Sequence, residues 1–308
     1  MDGFLLINKP AGMTSRAVCS QVARQLGLRT GRKGTRIGHA GTLDPFATGV
    51  LIVLIGRATR LMPYVVGHDK RYLVGVLLGV SSDTDDITGT CTPLGDTSNI
   101  AESHVHETVH RLAASTLQVP PAVSAIHVNG ERAWRRARRG ETVEVAARPV
   151  RFDSIDIIDV CRDDRGLCVT LDVCCSSGTY MRSLARDIGE QLGVGGVAAS
   201  LQRTRSGGFD ITRAAELTEI DSTDILNPCE LLGHMPRLEL AEHDVTHIMH
   251  GRAVNGAGHG WSSGSSIALV ASASGELVGI GRLTDEGFVA PRTVLQQPRG
   301  TEVVGSHG

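Results

Sequence analysis

The sequence predicts an α+β protein, a large N-terminal domain of strands and helices followed by a small β-rich unit, and three observations carry this. Apolar or β-branched runs bounded by turn residues recur as FLLIN (4–8), VLIVLI (50–55) and YLVGVLLGV (72–80), each of strand length. Other segments show apolar residues at helical spacing behind a polar cap. Beyond residue 235 the apolar runs shorten and are split by Gly and Ser. The 308-residue length suits one large domain and a small one.

Taken in order, residues 4–8 form a strand ended by the turn Lys9-Pro10-Ala11-Gly12. Thr14 or Ser15 caps a helix whose apolar positions Val18, Val22 and Leu26 recur every four residues until Gly27 stops it. Residues 27–49 hold six glycines, too many for a regular element, so a long loop is expected there, with 27–38 mobile in the unliganded protein. Residues 50–55 and 72–80 are strands, and SSDTDDITG (81–89) is rich in turn formers. A helix is expected over 101–114, and 150–160 and 167–175 pair as strands around CRDDRG. Ser177 or Thr179 caps the next helix, which places Leu184, Ile188 and Leu192 on one face before Gly193. The domains are therefore drawn at 1–235 and 236–295, and 296–308, which lacks a hydrophobic pattern, is read as a disordered tail.

The net charge of −2 hides an uneven distribution. From Arg16 to Arg71 there are ten Lys or Arg against two acids, a net +8, and residues 131–140 hold five arginines against one glutamate. Asp83, Asp85, Asp86, Asp96, Glu102 and Glu107 offset them. A basic face of this kind suits a phosphate-rich ligand. No apolar run reaches the roughly 18 residues of a membrane span, and the N-terminal run has no basic flank, so a cytoplasmic location is expected. Seven cysteines without a CxxC, two of them adjacent at 174 and 175 in an apolar stretch, are read as reduced core thiols.

Three motif matches are weak. His106-Glu107-Thr108-Val109-His110 fits H-E-x-x-H, but no third ligand follows at a zincin spacing, although His243, His247 and His250 form another patch. Gly31-Arg32-Lys33-Gly34-Thr35 lacks the Gly-Lys-Ser/Thr of a phosphate loop. The stretch beginning Asp83-Thr84-Asp85 has Ile87 where a calcium loop needs its third oxygen ligand, so an Asp-rich turn is the better reading.

The stretch GHAGTLDPFATGVL (38–51) is different, because it isolates one carboxylate, Asp44, among Gly, Ala, Thr, Pro and aliphatics. An Asp-Pro pair alone reads as a turn whose carboxylate caps backbone amides. The surrounding glycines admit another backbone closely, and the flanking loop is basic. A single carboxylate can also act as a nucleophile if a cation keeps it ionised and another group handles protons.

Five stretches now coincide: DGFLLINKPAGMTS (2–15), GHAGTLDPFATGVL (38–51), DKRYLVGVLLG (69–79), SSGTYMRSLARDIG (176–189) and LQRTRSGGF (201–209). In this order they resemble the TruB-type tRNA pseudouridine-55 synthases, from near residue 2 to about residue 210, with a softer likeness beyond. The resemblance implies a catalytic domain on a mixed, mainly antiparallel sheet with flanking helices, and a small PUA-like β domain at 236–295 that grips the acceptor arm. It implies isomerisation of uridine 55 in the tRNA T-loop to pseudouridine, without metal or organic cofactor, by a cytoplasmic monomer whose partner is tRNA. Asp44 resembles the catalytic aspartate, with attack at ribose C1′, attack at base C6 and a glycal route all open. Tyr72 resembles the tyrosine that stacks on uracil and serves in proton transfer, and Arg182 the arginine that pairs with the aspartate. A cation in the first turn of a helix is poorly placed against the dipole, which independently argues for an anionic partner of Arg182. Tyr180 and Leu201 resemble uracil-pocket residues, Lys9 is grouped with the substrate-binding residues, and His39 resembles the histidine that fills the space left by the flipped nucleotide. Residues 118–148 resemble the mobile segment that closes on the tRNA. Its Arg132, Arg135, Arg136, Arg138 and Arg139 suit phosphates, and Trp134 stands where the family commonly has a tyrosine or similar aromatic.

Two rivals from other classes make distinct predictions. A non-catalytic tRNA chaperone would be indifferent to Asp44→Asn, and a zinc hydrolase on His106 and His110 would hold stoichiometric metal and fail in chelator.

Overall fold

A nine-stranded sheet organises the computed structural model, which describes residues 2–296 apart from 33, 125, 129–130, 133–134, 137–138, 140 and 142–144. Trp134, Arg138 and all but the first residue of the expected tail lie outside the described residues. The strands are β1 (Gly3–Lys9), β2 (Ile37–Ala40), β3 (Thr48–Ile55), β4 (Lys70–Leu78), β5 (Phe152–Asp163), β6 (Gly166–Cys175), β7 (Gly196–Ser206), β8 (Phe209–Asp210) and β9 (Ala215–Glu216). Their order is β5-β6-β4-β7-β3-β1-β9, with β2 added to β3 and β8 to β7. Only β7–β3 and β1–β9 run parallel, so the sheet is mixed and mainly antiparallel.

The unbroken apolar runs of β1 and β3 follow from burial of both faces. Leu5, Ile7, Leu51, Val53 and Ile55 face a core with α1 (Ser15–Gln25), α2 (Glu102–Ala113) and α3 (Met181–Gln191). Phe4, Leu6, Val50, Ile52 and Leu54 face a second core shared with the C-terminal unit. At the outer edge, β5 exposes Ile158 and carries four aspartates, charges that discourage pairing with another strand. The C-terminal unit is a five-stranded sheet, β10 (Arg237–Leu240), β11 (Val254–Asn255), β12 (Ser266–Ala271), β13 (Leu277–Leu283) and β14 (Phe288–Val294), in the order β10-β12-β13-β14-β11 with helix α4 (Glu242–Met249). Ala268, Val270, Leu277 and Ile280 pack it onto the back of β1 and β3.

Four expectations need correction. Residues 27–49 are not one loop, since Ile37–Ala40 pairs with β3, His39 opposite Val53, and buries Ala40. The glycines punctuate rather than forbid this strand: Gly41 and Gly49, at φ +98° and +100°, turn the chain on either side of Asp44. Neither Ser177 nor Thr179 caps α3, whose start at Tyr180 has no side-chain cap of its own. Instead the buried Gln118 accepts from the Tyr180 amide at 2.8 Å and donates to its carbonyl at 3.0 Å. The central strand β7 was not expected, because Ser200, Gln202, Arg203 and Thr204 break its apolar signal. Of the seven thiols, Cys19 and Cys175 are buried, but Cys91 and Cys161 are exposed.

Candidate active site

Asp44 sits in the short connection between β2 and β3, and three neighbouring elements hold that connection. The Ser15 hydroxyl, buried at the start of α1, accepts from the Leu43 amide at 2.9 Å and donates to the Leu43 carbonyl at 3.1 Å. On the other side of Asp44, the Pro45 carbonyl accepts from the Gly12 amide at 2.7 Å and from Lys9 Nζ at 3.2 Å. Arg203, on β7, donates from Nε to Val50 at 2.7 Å and from Nη2 to Gly41 at 3.1 Å. The Asp-Pro turn is therefore a held platform. Its carboxylate stays free to face outward, because the Asp44 carbonyl, not the side chain, closes the local turn with the Ala47 amide at 3.1 Å.

Arg182 meets that carboxylate in a bidentate pair, Nε to Oδ2 at 2.9 Å and Nη2 to Oδ1 at 3.0 Å. The arginine side chain is 5 % exposed and the aspartate 30 %, so the cation is the buried scaffold and the carboxylate the accessible partner. Other acceptors fix the guanidinium: the Thr84 carbonyl at 2.8 Å, the Val123 carbonyl at 3.0 Å, and Asp86 at 3.6 Å. Burial pushes the Asp44 carboxyl above its ordinary range, and the Arg182 charge and hydrogen bonds pull it back. The first-turn cation thus has the anionic partner that the helix dipole argument requires.

Tyr72 lies on β4, 8 % exposed, directly opposite Arg203 in register. Burial raises its phenol, partly opposed by Arg203, so the group is neutral at neutral pH. Tyr180 precedes α3, half-buried, and burial likewise raises its phenol. Leu201, on β7, shares with Pro45, Phe46, Leu73 and Ile87 the lining of a cleft of about 510 Å³. His39 is half-buried on β2, and its imidazole is kept neutral by burial and by the charges of Arg203 and Arg16. Lys9 departs from the expectation of a substrate contact. It is wholly buried, its ammonium bonded to the Pro10, Met13 and Pro45 carbonyls, and burial lowers it to about 8. It shapes the floor under Asp44.

In the arginine-rich segment, Arg132 pairs with His127 in a short hairpin and Arg135 is exposed. Arg136 is bound to Glu141 at 2.7 Å, and Arg139 joins Glu131 and Glu141 at 2.8 and 2.7 Å. The root of the segment docks on α3: besides Gln118, the Val119 carbonyl accepts from Ser183 at 2.8 Å and Arg186 at 2.9 Å.

The motif reading missed Asp86, Asp85, Arg203 and Gln118. Asp86 does make the turn expected of its stretch, accepting from the Thr88 amide at 2.9 Å, but it is buried and its other oxygen faces Arg182. Asp85, at φ 58°, pairs with Arg186 at 2.9 Å. Three aspartates in a turn were the available signal, and the arginine partners of two of them, Asp85 and Asp86, lie about 100 residues away. His106 and His110 line a cleft of about 680 Å³ against β5, where Glu102 pairs with His106 at 3.5 Å. Among the described residues no group of three His, Cys, Asp or Glu is arranged to hold a metal ion, and no helix is long and apolar enough to cross a membrane.

Comparison with known proteins converges on one family. Residues 29–181 match the TruB family pseudouridylate synthase N-terminal domain, 182–227 the tRNA pseudouridylate synthase B C-terminal domain, and 236–295 the pseudouridine synthase II TruB C-terminal domain. The tRNA pseudouridine synthase B of Leifsonia xyli subsp. xyli is 41% identical over 284 residues, spanning 91% of this chain and 92% of that protein. That of Synechococcus sp. (strain WH7803) is 37% identical over 96% of this chain and 97% of its own. Among solved structures, a Cbf5-Nop10-Gar1 complex superposes with a TM-score of 0.72 at 24% identity, covering 96% of this chain and 85% of the matched one, which shows the shared fold.

Proposed function

From the premise that this chain belongs to the TruB family of pseudouridylate synthases, and is a tRNA-modifying isomerase, we propose that it converts uridine 55 of the T-loop to pseudouridine with Asp44 as nucleophile. The observation that carries this reading is the bidentate Asp44–Arg182 pair, an accessible carboxylate on a buried guanidinium. The guanidinium favours the anionic form of a partly desolvated carboxylate, the form a nucleophile requires.

The reaction breaks N1–C1′ and makes C5–C1′ within one nucleotide, with the bond from Asp44 to the nucleotide made and broken in between; C5 gives up its proton and N1 takes one up from solvent, so the atoms balance without a co-reactant. Tyr72 enters as a neutral phenol: it offers a ring to stack on uracil and an O–H to donate, and accepts a proton only after giving up its own. Tyr180 and Leu201 complete the base pocket. The uncharged His39 ring takes the place vacated by the flipped nucleotide, recovering part of an unstacking cost of a few kcal/mol. Arg132, Arg135 and Arg136 bind backbone phosphates of the T-arm, and the C-terminal sheet reaches toward the acceptor stem.

The test is tritium release from a [5-³H]-uridine tRNA transcript in EDTA, for the wild type, for Asp44→Asn, and for a transcript with cytidine at position 55. Release by the wild type alone, and only from the transcript with uridine 55, is expected. Release by Asp44→Asn would remove the nucleophile from this reading, and release from the position-55 variant would remove the site specificity.

A further inference from the structure

Arg203 is the largest side chain in the fully buried interior, 1 % exposed, and no carboxylate pairs with it among the described residues. Carbonyl oxygens answer the charge instead, and they belong to both ends of the Asp44 connection: Gly41 and Thr42 before it, at 3.1 and 3.5 Å, and Val50 after it, at 2.7 Å. In the sheet, Arg203 lies between the two elements it joins. It pairs in register with Gly49 of β3 on one side and with Tyr72 of β4 on the other.

The backbone is shaped around it. A Cβ on Gly41 would come 3.4 Å from Arg203 Nη1, and one on Gly49 would come 2.2 Å from the Arg203 carbonyl oxygen. Its charge also reaches Tyr72, His39, Lys9 and Lys70, disfavouring a second cation nearby and favouring an anion. A buried cation is costly, and apolar side chains of similar total volume could fill the space without that cost, so space-filling alone accounts poorly for three bonds made to one connection.

We infer that Arg203 is a positioning residue for the isomerisation: it fastens both ends of the Asp44 connection to the strand that carries Tyr72, and so fixes the carboxylate relative to the phenol. This rests on the reading of Asp44 and Tyr72 as the reacting pair. Small displacements of reacting groups are expensive, with about 1 Å costing about 100-fold in rate.

The test compares Arg203→Lys and Arg203→Gln with wild type in single-turnover tritium release at excess enzyme, alongside tRNA affinity by filter binding. Lysine keeps the cation but replaces the planar fork, whose Nε and Nη2 reach Val50 and Gly41 separately, by a single nitrogen. The expected result is a rate lower by about 100-fold with affinity held within about threefold, which separates positioning from binding. In ¹³Cζ-tyrosine protein, which has three tyrosines, the Tyr72 resonance, assigned with Tyr72→Phe, is expected to shift in Arg203→Gln while that of Tyr64 stays. Wild-type rates, or rate and affinity falling together with the Tyr72 resonance unmoved, overturn the inference. So does loss of fold in both variants, which would make Arg203 structural. Asp44→Asn in the same assay keeps the two claims apart: its retained activity sinks the assignment of the nucleophile, whereas its inactivity beside normal Arg203 variants sinks only the positioning role.

Discussion

Replacing Ser15 by alanine removes one oxygen that holds the residue next to the Asp44 carboxylate. Ser15 is 2 % and Leu43 3 % exposed, and the hydroxyl serves both the Leu43 amide, at 2.9 Å, and its carbonyl, at 3.1 Å. The substitution leaves two backbone groups unpaired in the interior, each at about 1–3 kcal/mol. Some of this is regained if the connection shifts toward solvent, so a net loss of about 2–4 kcal/mol is expected in urea unfolding. The same shift takes Asp44 away from Arg182. If the reactive arrangement becomes about 1–2 kcal/mol less favourable, single-turnover tritium release slows about 5- to 30-fold. Ser20→Ala is the control on the same helix, since its hydroxyl only bonds the Arg16 carbonyl at an exposed position and its loss should stay within about 0.5 kcal/mol. If the two variants prove indistinguishable in stability and rate, the view of Ser15 as a clamp on the Asp44 connection is wrong.

Two further outcomes follow from the same geometry. Burial, helped by the Asp86 charge, raises the Asp44 carboxyl, and Arg182 opposes it most strongly with Lys9 adding less, so in Arg182→Gln the main opposition is lost and the carboxyl titrates at higher pH, with Arg182→Lys in between. With Asp44 as the proposed nucleophile the carboxylate is the active form, so activity is expected to fall as pH drops through this titration and the acid limb to move upward. An NMR titration of the Asp44 carboxyl carbon reads the shift directly, and an unmoved titration contradicts the assigned cause. Gly49→Ala should cost the fold: at φ +100° a Cβ would stand 2.2 Å from the Arg203 carbonyl oxygen, and neither backbone can give way without breaking the β3–β7 pairing. Gly12→Ala, at φ +83° with nothing within 4 Å, carries only the conformational strain of about 1–2 kcal/mol, and thermal melting separates the two.

The sequence by itself determined what is local. The runs 4–8 and 50–55 disclosed β1 and β3 because burial on both faces keeps residues 4–7 and 50–55 wholly apolar. Helical spacing disclosed α1, α2 and α3, and the CRDDRG turn disclosed the β5–β6 hairpin. Asp44 stood out through the composition around it, and Arg182 through a charge that conflicts with its helix dipole. What the chain could not disclose locally depends on distant partners. Gly196–Ser206 does not read as a central strand, since its buried arginine is satisfied by carbonyls about 150–160 residues away. The carboxylates of Asp85 and Asp86 look like turn formers until the fold sets Arg182 and Arg186 beside them. Lys9 reads as a turn residue and a substrate contact, yet closure of the sheet leaves its ammonium bonded to backbone oxygens. Only the tertiary structure decided these roles, because the partner that satisfies a buried polar group is chosen by proximity in space, and here 138 residues separate the carboxylate from the guanidinium that holds it.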